Sequence, residues 1–160
     1  MVESIAVVPP PRRLGCLVLV TNEAGDPLLV EPAGRPGLVL PGGSAAADES
    51  PNEAAARHVF AATGLALDLW QIVAVDYVPK GELVEGLNLV LYGGVLNERR
   101  IGTMKPPAPK TRLAGHRFVP LSELHHHVEP GQRQRISQAV RAADNTDARL
   151  PLLLRGEPVG

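Results

Sequence analysis

Three carboxylates, Asp48, Glu49 and Glu53, crowd the approach to one apolar stretch, and carboxylates at that density could ligate a divalent ion or move a proton. Glu53, however, stands three residues after Ser50, as in a capping box, and Asp48 brings negative charge to a helix start. No metal is therefore expected, with Glu49 and Glu53 the nearest to candidates. The run His125-His126-His127 invites a zinc reading, but consecutive side chains fan out around a helix or alternate across a strand. It reads as a solvated histidine run. Asp76, Tyr77, Lys80, Glu82 and Glu85 cluster around a long hairpin, and Lys105, Lys110 and Arg112 lie on a proline-rich stretch where they could meet an anion. No glycine-rich phosphate loop, serine nucleophile elbow or paired cysteine is present.

The elements that must position these groups follow from local signals. Residues 1–13 contain Pro9-Pro10-Pro11 and read as a flexible arm. Strands are expected at 14–21 and 28–31, around the turn cluster Asn22-Glu23-Ala24-Gly25-Asp26-Pro27. A short apolar segment, 38–40, runs into Pro41-Gly42-Gly43. Ser50 as N-cap, Pro51 at the first helical position and Glu53 closing the box predict a helix over 52–63, stopped by Gly64. Residues 69–78 and 87–96 form a long hairpin around Pro79-Lys80-Gly81-Glu82. The segment 102–115, with three prolines and no periodicity, is expected to be a mobile loop of the lid type. A late strand follows at 116–120, and Ser122 is placed as the cap of a helical turn at 123–126. Ile136, Ala139, Val140 and Ala143 share one face of an amphipathic helix over 132–143. Leu150 to Leu154 reads equally as a last strand or a docked apolar tail. The succession predicts a mixed α/β sandwich rather than a doubly wound sheet.

The stretch from Leu40 to Leu65 resembles the Nudix box. That family's pattern is Gly, five residues, Glu, seven residues, Arg-Glu, an aliphatic, one residue, Glu-Glu, one residue, Gly, an aliphatic. Gly43, Glu49, Arg57, Val59, Gly64 and Leu65 fall on it at the correct spacing, preceded by Leu40-Pro41-Gly42. The resemblance implies a Nudix-type α/β/α sandwich with a mixed sheet over residues 14–145, and a C-terminal segment, 146–160, that docks on it. It also implies that Gly43 and Gly64 give backbone freedom while Glu49 and Arg57 pair and brace the loop. The departures fall on the chemistry. Where family members place the magnesium-binding glutamates, this sequence has His58, Ala61 and Ala62. Positions three and four apart share a helical face, so these three would have surrounded one ion. Alanine offers no ligand, and neutral imidazole suits zinc or nickel better than magnesium. A further family glutamate near the late strand aligns with Arg112, a base in place of an acid.

The resemblance thus implies a kept scaffold and a changed reaction. The expected function is a small-molecule pocket that has lost magnesium-dependent pyrophosphohydrolysis, run as a repurposed metal-independent enzyme. His58 is its candidate acid–base, because imidazole exchanges a proton near neutral pH. Tyr77, Lys80, Arg112 and His116 are its substrate-binding candidates. The alternatives are a non-catalytic ligand binder and a residual hydrolase of nucleoside diphosphate derivatives. Composition narrows the partners: 160 residues fit one domain, and a net charge of −1 gives no broad attraction to nucleic acid or anionic membrane. Aromatic content of 3% argues against a stacking platform for single strands. Cys16, the single cysteine, sits in an apolar run and reads as a core residue in a reducing cytoplasm. No cofactor is expected, a small-molecule ligand is, and a homodimer is admitted.

Overall fold

The computed structural model describes residues 7–145, 152–154 and 156–158. Residues 1–6 of the expected arm, and 146–151, 155, 159 and 160 of the C-terminal segment, lie outside the described part. Strand β1 (Arg13–Asn22) sends Cys16, Val18 and Val20 to one side and Leu17 and Leu19 to the other. Burial on both faces explains why its sequence is almost continuously apolar. The chain continues through β2 (Leu28–Pro32) and the short β3 (Gly42–Ser44) to helix α1 (Pro51–Thr63). Next come β4 (Gln71–Val78), β5 (Gly86–Leu96), the single turn α2 (Glu98–Ile101) and β6 (Leu113–Phe118). The turn α3 (Leu124–His127), helix α4 (Pro130–Asp144), β7 (Leu152–Leu154) and β8 (Glu157–Pro158) complete the order.

One six-stranded sheet runs β3-β1-β5-β4-β7-β8, and β2 pairs with β6 in a separate ribbon. The sheet is mixed: β1–β5 and β4–β7 are parallel, whereas the β4–β5 hairpin and the remaining pairs are antiparallel. Helix α1 buries Ala54, Ala55 and Val59 against Cys16, Val18, Val20 and Leu91. On the opposite face, Ile136, Ala139 and Val140 of α4 pack on Leu19, Val73 and Val90. A helix on each face of a mixed sheet is the α/β/α sandwich expected.

Helix α1 forms as its sequence dictates. Ser50 N donates to Glu53 Oε2 at 3.1 Å, Pro51 occupies the first helical position, and Gly64 closes the helix at φ 76° with its N–H on Phe60 O. Other local expectations are corrected. Glu123, not Ser122, precedes α3, and Leu121–Glu123 forms a 3-10 turn ahead of it. Asp76 lies in the expected strand, β4, where it is buried. The segment 102–115 is not a detached flap: Ala108 N donates to Ala61 O at 2.9 Å and Lys105 N to Thr63 O at 2.8 Å. The last turn of any helix leaves carbonyls without intrahelical donors, and here the loop supplies those donors. Its end is already strand, since β6 begins at Leu113. The uncertain apolar tail is strand where described: β7 places Leu153 opposite Asp76. Among the described residues, no helix is long and apolar enough to cross a membrane.

Candidate functional site

The loop before α1 is held by one side chain. Arg57 grips Glu49 with two parallel bonds, Nε to Oε2 and Nη2 to Oε1, each 2.8 Å. Glu49 Oε1 also accepts from Ala46 N at 2.9 Å, so the carboxylate ties the loop's own backbone to the helix. The Arg57 bonds first, and the Ala46 N–H second, hold Glu49 down to about 2 from the ordinary 4.5. The unfolded chain therefore takes up this proton first. Glu49 contributes stability that is present above about pH 4.5 and lost as pH falls toward about 2. Because the Arg57 side chain is half exposed, Arg57→Ala should lower the melting temperature by only about 3 °C at neutral pH. The same variant should lose less stability than wild type across pH 4.5 to 2. Parallel melting curves for the two proteins would sink the brace.

His58 follows Arg57 and lies over the glycine turn. Its Nε2 is 3.0 Å from Ser44 O and 3.4 Å from Arg57 Nη2. A carbonyl only accepts, so Nε2 carries the hydrogen and donates it to Ser44; the longer contact then sets donor against donor. Nδ1 is left as the acceptor, with no hydrogen bond to the described residues. A Cβ on Gly43 would come within 2.5 Å of the imidazole Cε1, so the glycine makes room for the ring. The sequence reading gave Gly43 a role in backbone freedom. The left-handed turn residue is instead its neighbour Gly42, at φ 140°.

Beyond His58 a cleft of about 500 Å³ opens between α1, β2 and the loop before β6. His58, Ala61 and Ala62 form its α1 wall, so all three positions where the resemblance implied metal ligands do face one space. Val30, Leu40 and Leu113 supply apolar lining. The charged lining is cationic: Lys110 joins His58 from one side and Arg35 from the other, while Arg57 is held by Glu49. Among the described residues, no aspartate or glutamate lines it. Glu49 is spent on Arg57 and Glu53 on the helix cap, and among the described residues no three His, Cys, Asp or Glu side chains gather as a metal set.

The other sequence candidates lie elsewhere. Tyr77 donates its hydroxyl to Glu85, which also pairs with Arg12; that bond raises Tyr77 and lowers Glu85. Lys80 sits exposed on the hairpin turn. Arg112 is exposed with φ 56°, and its carbonyl accepts from Ala33 N. His116 Nε2 is bonded to Lys105 O at 2.8 Å. None of these four lines the cleft. In the histidine run, His127 Nδ1 accepts from Arg117 Nη2 at 3.2 Å while His125 and His126 are exposed. Sequence reasoning missed Arg35 altogether. It lies in an ordinary-looking turn, Arg35-Pro36-Gly37, with no local signal of what it faces.

No curated protein sequence matches the chain significantly. Among solved structures, the MutT protein from Methanosarcina mazei Go1 superposes with a TM-score of 0.68 at 20% identity, over 89% of this chain and 100% of that one. An ADP-ribose pyrophosphatase from Streptococcus suis 89-1591 gives 0.64 at 16% identity, over 90% and 99%. The Nudix domain of Shewanella oneidensis NrtR, complexed with ADP ribose, gives 0.68 at 14% identity, over 84% and 90%. At these identities the likeness is one of fold. The family model of the Nudix domain matches residues 11–140, which include strands β1 to β6, the braced loop, α1 and most of α4. By that match and that architecture, the chain belongs to the Nudix family.

Proposed function

We propose that this chain does not perform magnesium-dependent pyrophosphohydrolysis and uses its cleft to bind a small anionic molecule directly, without a divalent ion. One observation carries the reading: the cleft wall has His58, Ala61 and Ala62 at the metal-ligand positions, and the charged lining not already paired is Arg35 and Lys110. Magnesium meets phosphates through carboxylates that hold the ion. Guanidinium and ammonium groups meet them with no intermediary, arginine with a two-pronged grip. The NrtR Nudix domain, solved with ADP ribose, supports a ligand-holding role for the fold. Chemistry in such a cleft rests on His58, whose Nδ1 acceptor is the proton-handling atom of a metal-independent enzyme. A second reading, ligand binding without turnover, is favoured by a specific fact: among the described residues no carboxylate, tyrosine or cysteine lines the cleft to complete an acid–base pair with His58.

Calorimetric titration and thermal shift test the proposal together. Magnesium and manganese should show no site tighter than about 1 mM. Inorganic diphosphate should raise the melting temperature equally with magnesium and with EDTA. A micromolar magnesium site that disappears in Glu49→Gln would overturn the reading and restore the hydrolase. His58→Ala and His58→Gln then separate the two forms: full affinity with lost turnover marks the enzyme, and no turnover in wild type marks the binder.

A further inference from the structure

The cleft does not end at α1. Arg35, Val39, Leu40 and Gly42 line both it and a second compartment of about 310 Å³, which opens between β1, β5 and α4. Arg13 lines this compartment, and its Nε is buried with no hydrogen-bond partner among the described residues, although Nη1 of the same guanidinium donates to Asn88 Oδ1 at 3.3 Å. A charged donor kept from water and left unmet is costly, and native folds seldom hold one without a use. The surrounding charges do not answer it. Glu85 is turned to Tyr77 and Arg12, and Asp76 is spent on Arg135 and Gly156 N. Among the described residues no acidic side chain lines the compartment, and Arg35 adds a second guanidinium with no carboxylate partner. Among the described residues no phenylalanine, tyrosine or tryptophan lines either compartment, so a nucleobase finds no ring there to stack on.

We propose that the second compartment receives an anionic group, phosphate or carboxylate, through Arg13 and Arg35. The ligand is then a compact molecule with two anionic ends rather than a nucleotide. This inference rests on the reading of the first compartment as a metal-free anion site. Buried Asn88, 5% exposed, fixes the Arg13 guanidinium by taking Nη1, and the side chain it fixes lines the compartment.

Calorimetry in EDTA tests it with four probes: inorganic phosphate, fructose 1,6-bisphosphate, 3-phosphoglycerate and ADP. One of the two doubly anionic probes should bind about 10-fold tighter than inorganic phosphate, and which one does so distinguishes a second phosphate from a carboxylate. Arg13→Met, which keeps the aliphatic stem, should abolish that advantage while leaving inorganic phosphate unchanged. If Arg13→Met does not fold, Arg13→Gln, which keeps a donor for Asn88, decides: loss of the advantage with inorganic phosphate unchanged supports the proposal and retention overturns it. Tightest binding by ADP overturns it, as does an equal loss for every probe in Arg13→Met. In both of those cases the anion-binding reading of the first compartment stands. Binding of no probe without magnesium overturns that reading and this inference with it.

Discussion

Arg135→Ala lowers the free energy of unfolding by about 3–5 kcal/mol, read as a shift of the urea midpoint at unchanged slope. Asp76 is fully buried in β4, and Arg135 on α4 is 11% exposed. Arg135 Nε donates to Asp76 Oδ2 at 2.6 Å, and Gly156 N donates to Oδ1 at 2.9 Å. One carboxylate therefore joins the central sheet, the C-terminal helix and the turn between β7 and β8. Removal of the guanidinium leaves a buried charge with a single backbone donor, and desolvation decides the outcome rather than the lost attraction. Because replacement of both partners removes the unmet charge as well as the pair, Asp76→Leu with Arg135→Leu should cost less than Arg135→Ala. A loss below about 1 kcal/mol for Arg135→Ala would mean that the Asp76 carboxylate reaches water.

Gly42→Ala costs about 3 kcal/mol or more, whereas Gly25→Ala costs about 1 kcal/mol. Both glycines have positive φ, 140° and 85°, but their surroundings differ. A Cβ at Gly25 meets nothing within 4 Å, so only its own backbone resists the change. A Cβ at Gly42 falls 2.3 Å from Cys16 O and 2.7 Å from Leu17 Cα, backbone atoms of the central strand that cannot step aside. Strand β3 pairs Gly42 with Leu17 and Gly43 with Cys16, so the substitution forces the cleft edge off β1. At Gly43 the obstacle is the His58 ring, the far end of a side chain that can rotate. Gly43→Ala should therefore cost less than Gly42→Ala and act on His58. Equal melting temperatures for Gly42→Ala and Gly25→Ala would refute the close-approach argument.

What the sequence determined by itself was local. Ser50, Pro51, Glu53 and Gly64 specify both ends of α1 within a few residues of chain, because capping bonds and a left-handed φ depend on near neighbours. The β4–β5 hairpin is legible for the same reason, two strand-forming runs joined by a turn. The motif spacing placed His58, Ala61 and Ala62 on one helical face, and that face does line the cleft. Tertiary structure alone decided what else faces the cleft. Arg35 and Lys110 reach it from turns far from α1 in sequence, and Tyr77 and His116 are turned to other partners by the strands that carry them. The Asp76–Arg135 pair spans 59 residues, and neither residue's neighbours announce the other. The proline-rich segment that reads as a loose lid is fixed because α1 presents carbonyls that need donors. Each of these outcomes depends on which strands lie side by side, and the parallel pairing of β1 with β5 follows from sheet order and two-sided burial, which no short window of sequence contains.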